Sequence, residues 1–366
     1  MQSFIFNIPT KIIFGTGSIA KLTDEIPEMV KSILIVTDKN LNKNTQIIKK
    51  IETQLTKFNV SIFDDIAENP LIESVDEGAA FGQKNNVDFI LGIGGGSSMD
   101  AAKGIALSMA NQTGFNSILN GEVPKNPALP FICIPTTSGT GSEVTPFAVF
   151  TDQKDESKKG FAHQSIFPKS AIVDPELTYS MPENVRINTG LDVLAHASEA
   201  FFSTDSNALN DQIALEAIKL VIKNLLSAVE GNKSAMENMA YASILAGVAI
   251  THASTILPHI MGYPLTVYHK IPHGKASILC LPALLDFLMN TEVRKKAEIL
   301  NKIFEKQDGL RSFLNKLRIS DKLSDQGILA SELDLFVEKT ICKGDVKITP
   351  GNIDRKKIKE IYLASM

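Results

Sequence analysis

Short, continuous apolar runs alternate with helical patterns through the first half of the chain. The runs are rich in β-branched residues and are bounded by polar residues, glycine or proline, as expected for strands buried on both faces of a sheet. The predicted strands are residues 33–36, 60–63, 89–93 and 131–134. Amphipathic stretches between them, such as 45–55 and 74–84, predict helices. Strands and helices in alternation favour a parallel sheet with helices on both sides.

The pattern changes near Pro182. Long amphipathic stretches then follow one another, and strand-like runs are few. The clearest predicted helices of this half are residues 209–226, 235–250 and 279–289. We therefore predict an α/β domain over residues 1–180 and an all-helical domain over residues 181–366.

The composition is that of a globular protein with two domains. The chain has 366 residues, and single hydrophobic cores stop growing at roughly 250–300 residues. Hydrophobic residues make up 44% and charged residues 21% of the chain, which is ordinary for folded domains. The formal net charge is −4, and lysine and arginine are spread along the sequence. Neither a nucleic acid nor a membrane surface is therefore an expected partner.

The cysteines and the N-terminus favour a cytoplasmic location. Cys133, Cys280 and Cys342 are odd in number and lie outside any C-x-x-C spacing, which is typical of reduced thiols. The N-terminal residues lack the charged segment and apolar core of a signal peptide. No apolar run reaches the ~18 residues that a bilayer-spanning helix needs.

A glycine-rich turn follows the third predicted strand. Residues 89–93 run directly into Gly94, Gly95, Gly96 and Ser97, and a helical pattern follows. Glycine lets the backbone approach a pyrophosphate closely, and the free N–H groups at the start of a helix attract its negative charge. The sequence therefore predicts a phosphate site here. The alternative is a turn that only connects the strand to the helix.

Two other strand ends carry polar residues that suit a nucleotide. Asp38 follows the first predicted strand, where a carboxylate can accept hydrogen bonds from ribose hydroxyls, although it precedes the glycine turn, unlike the usual fingerprint. The loop 135–145 follows the fourth strand and is dense in hydroxyls and glycines. Its threonines are Thr136, Thr137, Thr140 and Thr145. A surface turn beside a buried strand would not need so many hydroxyls, so the three loops together predict a nucleotide site.

Histidines are concentrated in the second half of the chain, where five of the six lie between residues 196 and 273. Asp192 and His196 are four residues apart in a helical pattern, so their side chains share one helix face. His259 and His273 follow 63 and 77 residues after His196. One carboxylate and three neutral imidazoles suit a borderline divalent metal such as iron or zinc. The alternative is a simple Asp–His pair on a helix, with two unrelated packed histidines.

These motifs resemble, in order and at compatible spacings over nearly the whole chain, those of the iron-containing (group III) alcohol dehydrogenases. They are Phe14-Gly15-Thr16-Gly17, Val36-Thr37-Asp38-Lys39, Glu68-Asn69-Pro70, Gly94-Gly95-Gly96-Ser97, the loop 135–145 with Phe147-Ala148-Val149-Phe150-Thr151-Asp152, Gly190-Leu191-Asp192, His196-Ala197-Ser198-Glu199-Ala200 and Ile271-Pro272-His273-Gly274. The resemblance implies an N-terminal α/β dinucleotide-binding domain and an all-α, metal-binding C-terminal domain, the dehydroquinate synthase-like architecture. It also implies a homo-oligomeric enzyme that acts on a small alcohol or aldehyde.

The family's site residues fall on positions of this chain as follows. The implied metal ligands, for Fe²⁺ or Zn²⁺, are Asp192, His196, His259 and His273. The implied dinucleotide contacts are Asp38, Asn69, Gly94, Gly95, Gly96, Ser97, Thr136, Thr137, Thr140 and Thr145. We expect NAD as the cofactor and NADP to be less favoured, because Asp38 would repel the 2′-phosphate of NADP.

One position departs from the family pattern. Many members have a further histidine four residues after the third ligand, near the reacting centre, and here that residue is Tyr263. A histidine stands instead at His269, where relatives often have an aromatic residue. Tyr263 and His269 are therefore two candidates for relaying the alcohol proton, and a packed or pocket-lining role is the alternative for both.

The expected chemistry is a metal-assisted hydride transfer, in which the metal acts as a Lewis acid on the alcohol oxygen and the hydride passes to the nicotinamide ring. Three other functions share some of these features. Dehydroquinate synthases use NAD and a metal but release no reduced cofactor, and glycerol dehydrogenases generally use zinc. A nucleotide- and metal-binding sensor would show no turnover. Net NADH formation from a simple alcohol separates the first and the last of these from an alcohol dehydrogenase.

Overall fold

The computed structural model describes residues 3–366 and divides them into two compact units. The α/β unit consists of Asn7–Thr137 and Gly141–Met181. The helical unit consists of Pro182–Met366, together with Ser138–Thr140 and the described residues up to Phe6. The two short segments that join the helical unit were not predicted from the sequence.

A six-stranded parallel sheet lies at the centre of the α/β unit. The strands of the described chain are β1 (Lys11–Phe14), β2 (Ser32–Val36), β3 (Asn59–Phe63), β4 (Phe89–Gly94), β5 (Phe131–Pro135), β6 (Phe147–Asp152), β7 (Ser157–Ala162) and β8 (Ser170–Val173). The sheet has the order β1-β8-β5-β4-β2-β3, and each neighbouring pair is parallel. The four predicted strands are confirmed as β2, β3, β4 and β5, with one-residue differences at their ends.

Helices cover both faces of this sheet. They are α1 (Leu22–Glu25), α2 (Lys39–Asn44), α3 (Ile47–Glu52), α4 (Ile72–Lys84), α5 (Gly96–Asn111) and α6 (Phe115–Leu119). In β2, Leu34 and Val36 pack into one buried cluster with α4 and α5, whereas Ile33 and Ile35 pack into another with α1, α2 and α3. This alternation is the two-residue period of a strand. Because both faces are covered, the strand is a continuous apolar run.

An antiparallel hairpin, β6 and β7, extends from the same unit. Its register pairs Phe147 with Ala162 and Asp152 with Ser157. Alternate residues of β6, such as Ala148 and Phe150, are buried, while those between them are only partly covered. The hairpin was not predicted, because only one face of β6 is buried and β7 contains two lysines and a glycine instead of an apolar run.

The second unit is helical, as predicted. Its helices are α7 (Glu183–Phe202), α8 (Ala208–Val229), α9 (Lys233–Ala253), α10 (Leu257–His269), α11 (His273–Leu279), α12 (Leu281–Leu288), α13 (Arg294–Phe304), α14 (Leu310–Lys316), α15 (Leu333–Ile341) and α16 (Arg355–Ala364). The predicted helices 209–226 and 235–250 are confirmed within α8 and α9. The helix predicted over 279–289 is confirmed as α12, which begins two residues later and ends one residue earlier. Pro282 lies in the first turn of α12, where its missing N–H is tolerated, and the helix break falls at Cys280.

No single helix among residues 3–366 has both the length and the apolar composition that a bilayer crossing requires. Helices α9 and α10 meet these criteria only when they are taken together. They are bent relative to each other by 109°.

Candidate functional site

A glycine turn connects β4 to α5. The strand ends at Gly94, which has a φ of +146°, and Gly95 is the N-cap residue of α5. A Cβ atom on Gly94 would lie 2.6 Å from Oγ of Ser98, so both the conformation and the space require glycine. Gly95 has no side chain with which to cap the helix. The first N–H groups of α5 can therefore bind an anion, which the helix dipole also attracts.

Neighbouring strand ends bring polar residues to this turn. Thr136, which follows β5, donates its N–H to the carbonyl oxygen of Gly94 at 2.9 Å. Side-chain atoms of Thr137 lie 3.5 Å from the position of a Cβ on Gly95. Oδ2 of Asp38, which follows β2, lies 3.8 Å from the equivalent position on Gly94. The strands β5, β4 and β2 are adjacent in the sheet, so these residues lie side by side at its carboxyl edge.

The strand order reverses beside the glycine turn. From β2 the chain moves outward to β3, and from β4 it moves in the opposite direction to β5 and β8. Open α/β sheets bind ligands at such a switch point, beyond the carboxyl ends of the strands. Asn69 also reaches the turn. Its φ is +57°, and its N–H donates to Oγ of Ser97 at 3.2 Å.

Asp38 has two environments, one for each carboxylate oxygen. Oδ1 accepts the N–H of Leu41 at 2.9 Å and so caps α2. This is the ordinary role of an aspartate that starts a helix. The cap holds the carboxylate in one orientation, in which Oδ2 lies near Gly94.

A buried lysine holds the loop that follows β5. Lys103, on α5, donates from Nζ to Oγ of Ser142 at 2.7 Å and to the carbonyl oxygen of Phe147 at 2.6 Å. Its Nζ also lies 3.4 Å from Oγ1 of Thr145, and Asp100 accepts the hydroxyl of Ser142 at 2.6 Å. Burial lowers the pKa of Lys103, although the Asp100 carboxylate partly opposes this effect. The structure thus places Thr145 in a buried polar network.

Asp100 and Lys103 were not predicted as site residues. They are the two charged residues of a 16-residue helix that is otherwise uncharged, and charges are rarely buried without partners. That composition was the available signal. Among the loop threonines, Thr140 belongs with Ser138–Thr140 to the helical unit. In that unit a Cβ on Gly139 would lie 2.7 Å from Cβ of Thr189, so the loop backbone packs directly on α7.

In the helical unit, Asp192, His196 and His259 converge on one point. Each offers a ligand atom, and the three atoms lie within 4.8 Å of one another. All three residues are buried. Asp192 and His196 are one turn apart on α7, and His259 lies in the first turn of α10. His273, the first residue of α11, brings its Nε2 to 3.0 Å from Nε2 of His259.

The donor atoms of this cluster suit a divalent metal. Oδ1 of Asp192 and Nδ1 of His196 are buried and have no hydrogen-bond partner among the described residues. Such unpaired polar atoms are costly, and coordination of a metal would offset that cost. Two nitrogen ligands at about 2.1 Å from a tetrahedral ion are about 3.4 Å apart, close to the spacing of the His259 and His273 Nε2 atoms. Burial lowers the pKa of His196 to about 4, so its imidazole is neutral, as a ligand must be.

Glu199 contacts the cluster and was not predicted as a site residue. It is fully buried on α7, and its Oε1 lies 3.1 Å from Nδ1 of His259. Burial alone would lower the pKa of His259, but the carboxylates of Glu199, Asp192 and Asp345 together raise it, with Glu199 as the largest of the three. The available signal was spacing, because Asp192, His196 and Glu199 stand at i, i+4 and i+7, on one face of a helix.

Of the two predicted relay residues, Tyr263 lies beside the cluster. Its ring centroid is 6.2 Å from that of His259 and 5.9 Å from that of His273. Tyr263 and His259 are four residues apart on α10 and thus share a helix face. Nζ of Lys343 lies over the tyrosine ring, 6.0 Å from its centroid.

His269, the other predicted relay residue, lies at the far end of α10. It is ten residues beyond His259, which corresponds to about 15 Å along a helix axis. Its Nε2 lies 2.9 Å from Oε1 of Glu332, and its ring meets that of Phe336 edge-on at 6.1 Å. The structure therefore brings Tyr263, but not His269, to the histidine cluster.

Comparison with known proteins decides the family. The sequence model of the iron-containing alcohol dehydrogenase family matches residues 9–175. The sequence model of the C-terminal domain of the Fe-containing alcohol dehydrogenase family matches residues 186–366. The chain belongs to the iron-containing alcohol dehydrogenase family.

Several similar proteins match this chain along almost their full length. The 1,3-propanediol dehydrogenase of Citrobacter freundii is 31% identical over 380 residues, which cover 99% of this chain and 98% of that protein. The crystal structure of an iron-containing alcohol dehydrogenase from Thermotoga maritima has a TM-score of 0.90 at 35% identity and covers 99% of both chains. The sulfoacetaldehyde reductase from Bifidobacterium kashiwanohense, solved in complex with NAD+, has a TM-score of 0.91 at 30% identity. That match covers 100% of this chain and 99% of the reductase.

This iron-containing alcohol dehydrogenase is a metal-dependent oxidoreductase that transfers a hydride between a nicotinamide dinucleotide and a small alcohol or aldehyde. The predicted fold class and enzyme class are confirmed. The matches do not favour a dehydroquinate synthase, a glycerol dehydrogenase or a sensor without turnover.

Proposed function

We propose that this enzyme holds its metal with Asp192, His196, His259 and His273. The convergence of three buried ligand atoms within 4.8 Å, with Nε2 of His273 3.0 Å from Nε2 of His259, carries the proposal. The cluster draws on three helices, so a chance pair on one helix does not account for it. When bound, the metal supplies Lewis acidity toward the alcohol oxygen.

Four histidine variants test the ligand set. His259→Ala and His273→Ala should each lose metal and turnover together while still binding the dinucleotide, because the glycine turn belongs to the other unit. His269→Ala is the matched control, since it removes a histidine from the same helix as His259 but outside the cluster. It should keep its metal, as should His252→Ala on α9. Elemental analysis of anaerobically purified protein measures the content and identifies iron or zinc. Full metal content and turnover in His259→Ala or His273→Ala would refute the assignment.

The dinucleotide is held at the glycine turn, with its pyrophosphate on the N–H groups of Gly95, Gly96 and Ser97 at the start of α5. The hydrogen bond from Asn69 to Ser97 orders this turn, and Thr136 fixes Gly94 from the neighbouring strand end. The further contacts carried over from the family are Thr137, Thr140 and Thr145. The network around Lys103 supports the shape of the loop that contains Thr145.

The cofactor preference depends on Asp38. Oδ1 is engaged at the start of α2, and Oδ2 remains near the glycine turn, where it can accept hydrogen bonds from the ribose hydroxyls. NADP would bring a phosphate of about −2 charge against this carboxylate. The enzyme therefore prefers NAD to NADP.

Tyr263 is the residue that relays the alcohol proton toward solvent. Its ring lies 5.9 Å from that of His273, whereas His269 is engaged by Glu332 at the far end of α10. A tyrosine hydroxyl both donates and accepts a hydrogen bond, as a relay requires. The alternative, a side chain that only lines the pocket, is tested below.

Lys343 favours a substrate that carries an anionic group near its carbonyl or alcohol carbon. Its Nζ lies 6.0 Å from the centroid of the Tyr263 ring, and this ring lies 5.9 Å and 6.2 Å from the rings of the proposed ligands His273 and His259. Among the relatives, one acts on sulfoacetaldehyde, which is anionic, and another on 1,3-propanediol, which is neutral. Lys343→Met should raise KM for sulfoacetaldehyde and leave kcat/KM for 1,3-propanediol unchanged. Equal effects on both substrates would exclude this role.

The remaining proposals concern the organisation of the protein. We assign dinucleotide binding to residues 1–180 and metal binding to residues 181–366, in a homo-oligomer, as the family resemblance implies. A cytoplasmic location is supported by the three unpaired thiols, of which Cys342 is exposed. Light scattering after gel filtration measures the oligomeric state.

A further inference from the structure

Glu199 links the two helices that carry Asp192, His196 and His259. It lies on α7, three residues after His196, and its side chain is fully buried. Its Oε1 is 3.1 Å from Nδ1 of His259 on α10. Its Oε2 accepts the backbone N–H of Ile256 at 2.8 Å and that of His259 at 3.2 Å. One carboxylate therefore contacts both the ring and the backbone of His259.

The backbone contacts make Glu199 a helix cap supplied by another helix. Ile256 is the N-cap residue of α10, and its own side chain is apolar. The first N–H groups of a helix have no partner within the helix, and a negative charge beside them is also favoured by the helix dipole. Glu199 therefore fixes the first turn of α10, which includes His259, relative to α7.

The ring contact selects the tautomer of His259. Burial raises the pKa of Glu199, and the contacts with His259 and the two backbone N–H groups oppose this rise. As a carboxylate, Glu199 only accepts hydrogen bonds, and with Oε2 engaged by two backbone N–H groups it presents Oε1 to Nδ1 of His259. Nδ1 of His259 must then carry the proton, and Nε2 keeps its lone pair. Nε2 is the atom that lies 3.0 Å from Nε2 of His273. The opposite tautomer would present an N–H group in place of a ligand atom.

We propose that Glu199 is a positioning residue of the metal site, which fixes both the place and the tautomer of His259. Carboxylate partners of this kind orient histidine ligands in metal sites generally. The proposal rests on the ligand set proposed above, because it concerns how one of those ligands is held. The competing explanation is that Glu199 stabilises the fold only as a cap of α10.

Glu199→Gln tests the proposal at nearly constant side-chain volume. The amide has one acceptor oxygen, so it can serve the backbone N–H groups of α10 or Nδ1–H of His259, but not both. If the oxygen stays with the backbone, the NH2 group meets Nδ1, and the ring proton moves to Nε2. We expect the affinity for Co²⁺, measured against a competing chelator without dinucleotide or substrate, to fall about 10- to 100-fold.

The tautomer gives a second measurement that needs no metal. Nitrogen chemical shifts of the histidine rings in the metal-free proteins, recorded at a pH at which the His259 ring is neutral, distinguish Nδ1–H from Nε2–H. We expect Nδ1–H at His259 in the parent and a change of tautomer in Glu199→Gln. Asn207→Ala is the matched control, because Asn207 also accepts two backbone N–H groups, at the start of α8, a helix that carries none of the four ligands. It should lower the unfolding midpoint and leave the Co²⁺ affinity and the His259 tautomer unchanged.

The outcomes separate the possible errors. Parent-like Co²⁺ affinity and an unchanged tautomer in Glu199→Gln would overturn the proposal and leave Glu199 as a cap. If His259→Ala binds Co²⁺ like the parent, the proposed ligand set is wrong. If His259→Ala loses Co²⁺ but Glu199→Gln binds it like the parent, the ligand set stands and only the positioning role of Glu199 is refuted. Should Glu199→Gln not fold, Glu199→Asp replaces it, since it keeps the carboxylate but shortens its reach by one methylene. Weakened Co²⁺ binding in the folded Asp variant supports the proposal, and parent affinity overturns it.

Discussion

Gly274→Ala should weaken the metal site by forcing two helices apart. Gly274 follows His273 on α11, and a Cβ at this position would lie 2.0 Å from the carbonyl oxygen of Asn188 and 2.9 Å from Cβ of Asp192. Both of these residues belong to α7. Because the nearest atom is backbone, rotation of a side chain cannot relieve the contact. The helices themselves must move.

The required movement follows from these distances. Real Cβ atoms essentially never approach another heavy atom within 3.0 Å, so α11 and α7 must separate by about 1 Å. Metal–ligand distances tolerate only about 0.2 Å, so His273 and Asp192 would no longer suit one ion. Over-packing lowers the free energy of unfolding by ~1–3 kcal/mol, and the better helix propensity of alanine raises it by ~1 kcal/mol. We expect a net loss of stability of about 1–2 kcal/mol and a metal affinity at least about ten-fold weaker.

The assay combines Co²⁺ titration against a chelator with urea unfolding of the metal-free protein. Gly190→Ala is the matched control on α7, because a Cβ there would meet Cδ1 of Leu225 at 2.2 Å, the end of a flexible side chain. It should lower the free energy of unfolding and leave the Co²⁺ affinity unchanged. A Gly274→Ala protein that binds Co²⁺ like the parent would refute the argument that this close approach sets the ligand spacing. Equal losses of affinity in both variants would also contradict it.

Three further substitutions test other parts of the molecule. Asp38→Gly should raise kcat/KM with NADP relative to NAD, because it removes the carboxylate that repels the 2′-phosphate, and an unchanged ratio would leave Asp38 as the cap of α2 alone. Tyr263→His should be tolerated and should shift the pH dependence of kcat toward neutrality, where imidazole titrates, whereas an identical profile would mean that Tyr263 only lines the pocket. Burial raises the pKa of Glu143 to about 7, so the folded protein retains a proton that the unfolded chain releases above its ordinary pKa of 4.5. Stability should therefore fall by about 3 kcal/mol between these pKa values as pH rises, and urea unfolding at several pH values should show a smaller fall in Glu143→Gln.

The strands that are buried on both faces of the sheet could be predicted from the sequence. β2 and β4 are buried at each residue, so their apolar runs are continuous and their bounds were predicted to within one residue. In β1, only Ile13 is buried, and four residues with one inward side chain carry no recognisable period. The hairpin β6–β7 has the same difficulty, because its second strand contains two lysines and a glycine. Pairing with distant strands, which the local sequence does not encode, makes these segments strands.

The dinucleotide side of the site was largely predictable, because it is local. A strand, a glycine turn and a helix are consecutive in sequence, so the residues that meet an anion lie within a few positions of one another. The proximity of Asp38 and Thr136 to that turn followed from one further rule, that parallel strands end at a common edge. The buried pair of Asp100 and Lys103 could not be predicted, since its partners lie about forty positions away, in the loop that it holds.

Only part of the metal cluster could be predicted from the spacing of residues in the sequence. Asp192 and His196 could be paired from helical periodicity, but His259 and His273 join them through tertiary packing, in which Glu199 caps α10 and Gly274 lets α11 approach α7. A helix predicted over residues 257–269 would have distinguished Tyr263 from His269 as the relay residue. Tyr263 is four positions past His259 and therefore lies on the same helix face, one turn away. A residue ten positions past His259 lies about 15 Å along the axis. That helix was not predicted, because it contains two prolines. The first proline is tolerated in the opening turn, and the second interrupts the interior of the helix. The sequence pattern therefore predicted a helix only weakly in the segment that carries His259.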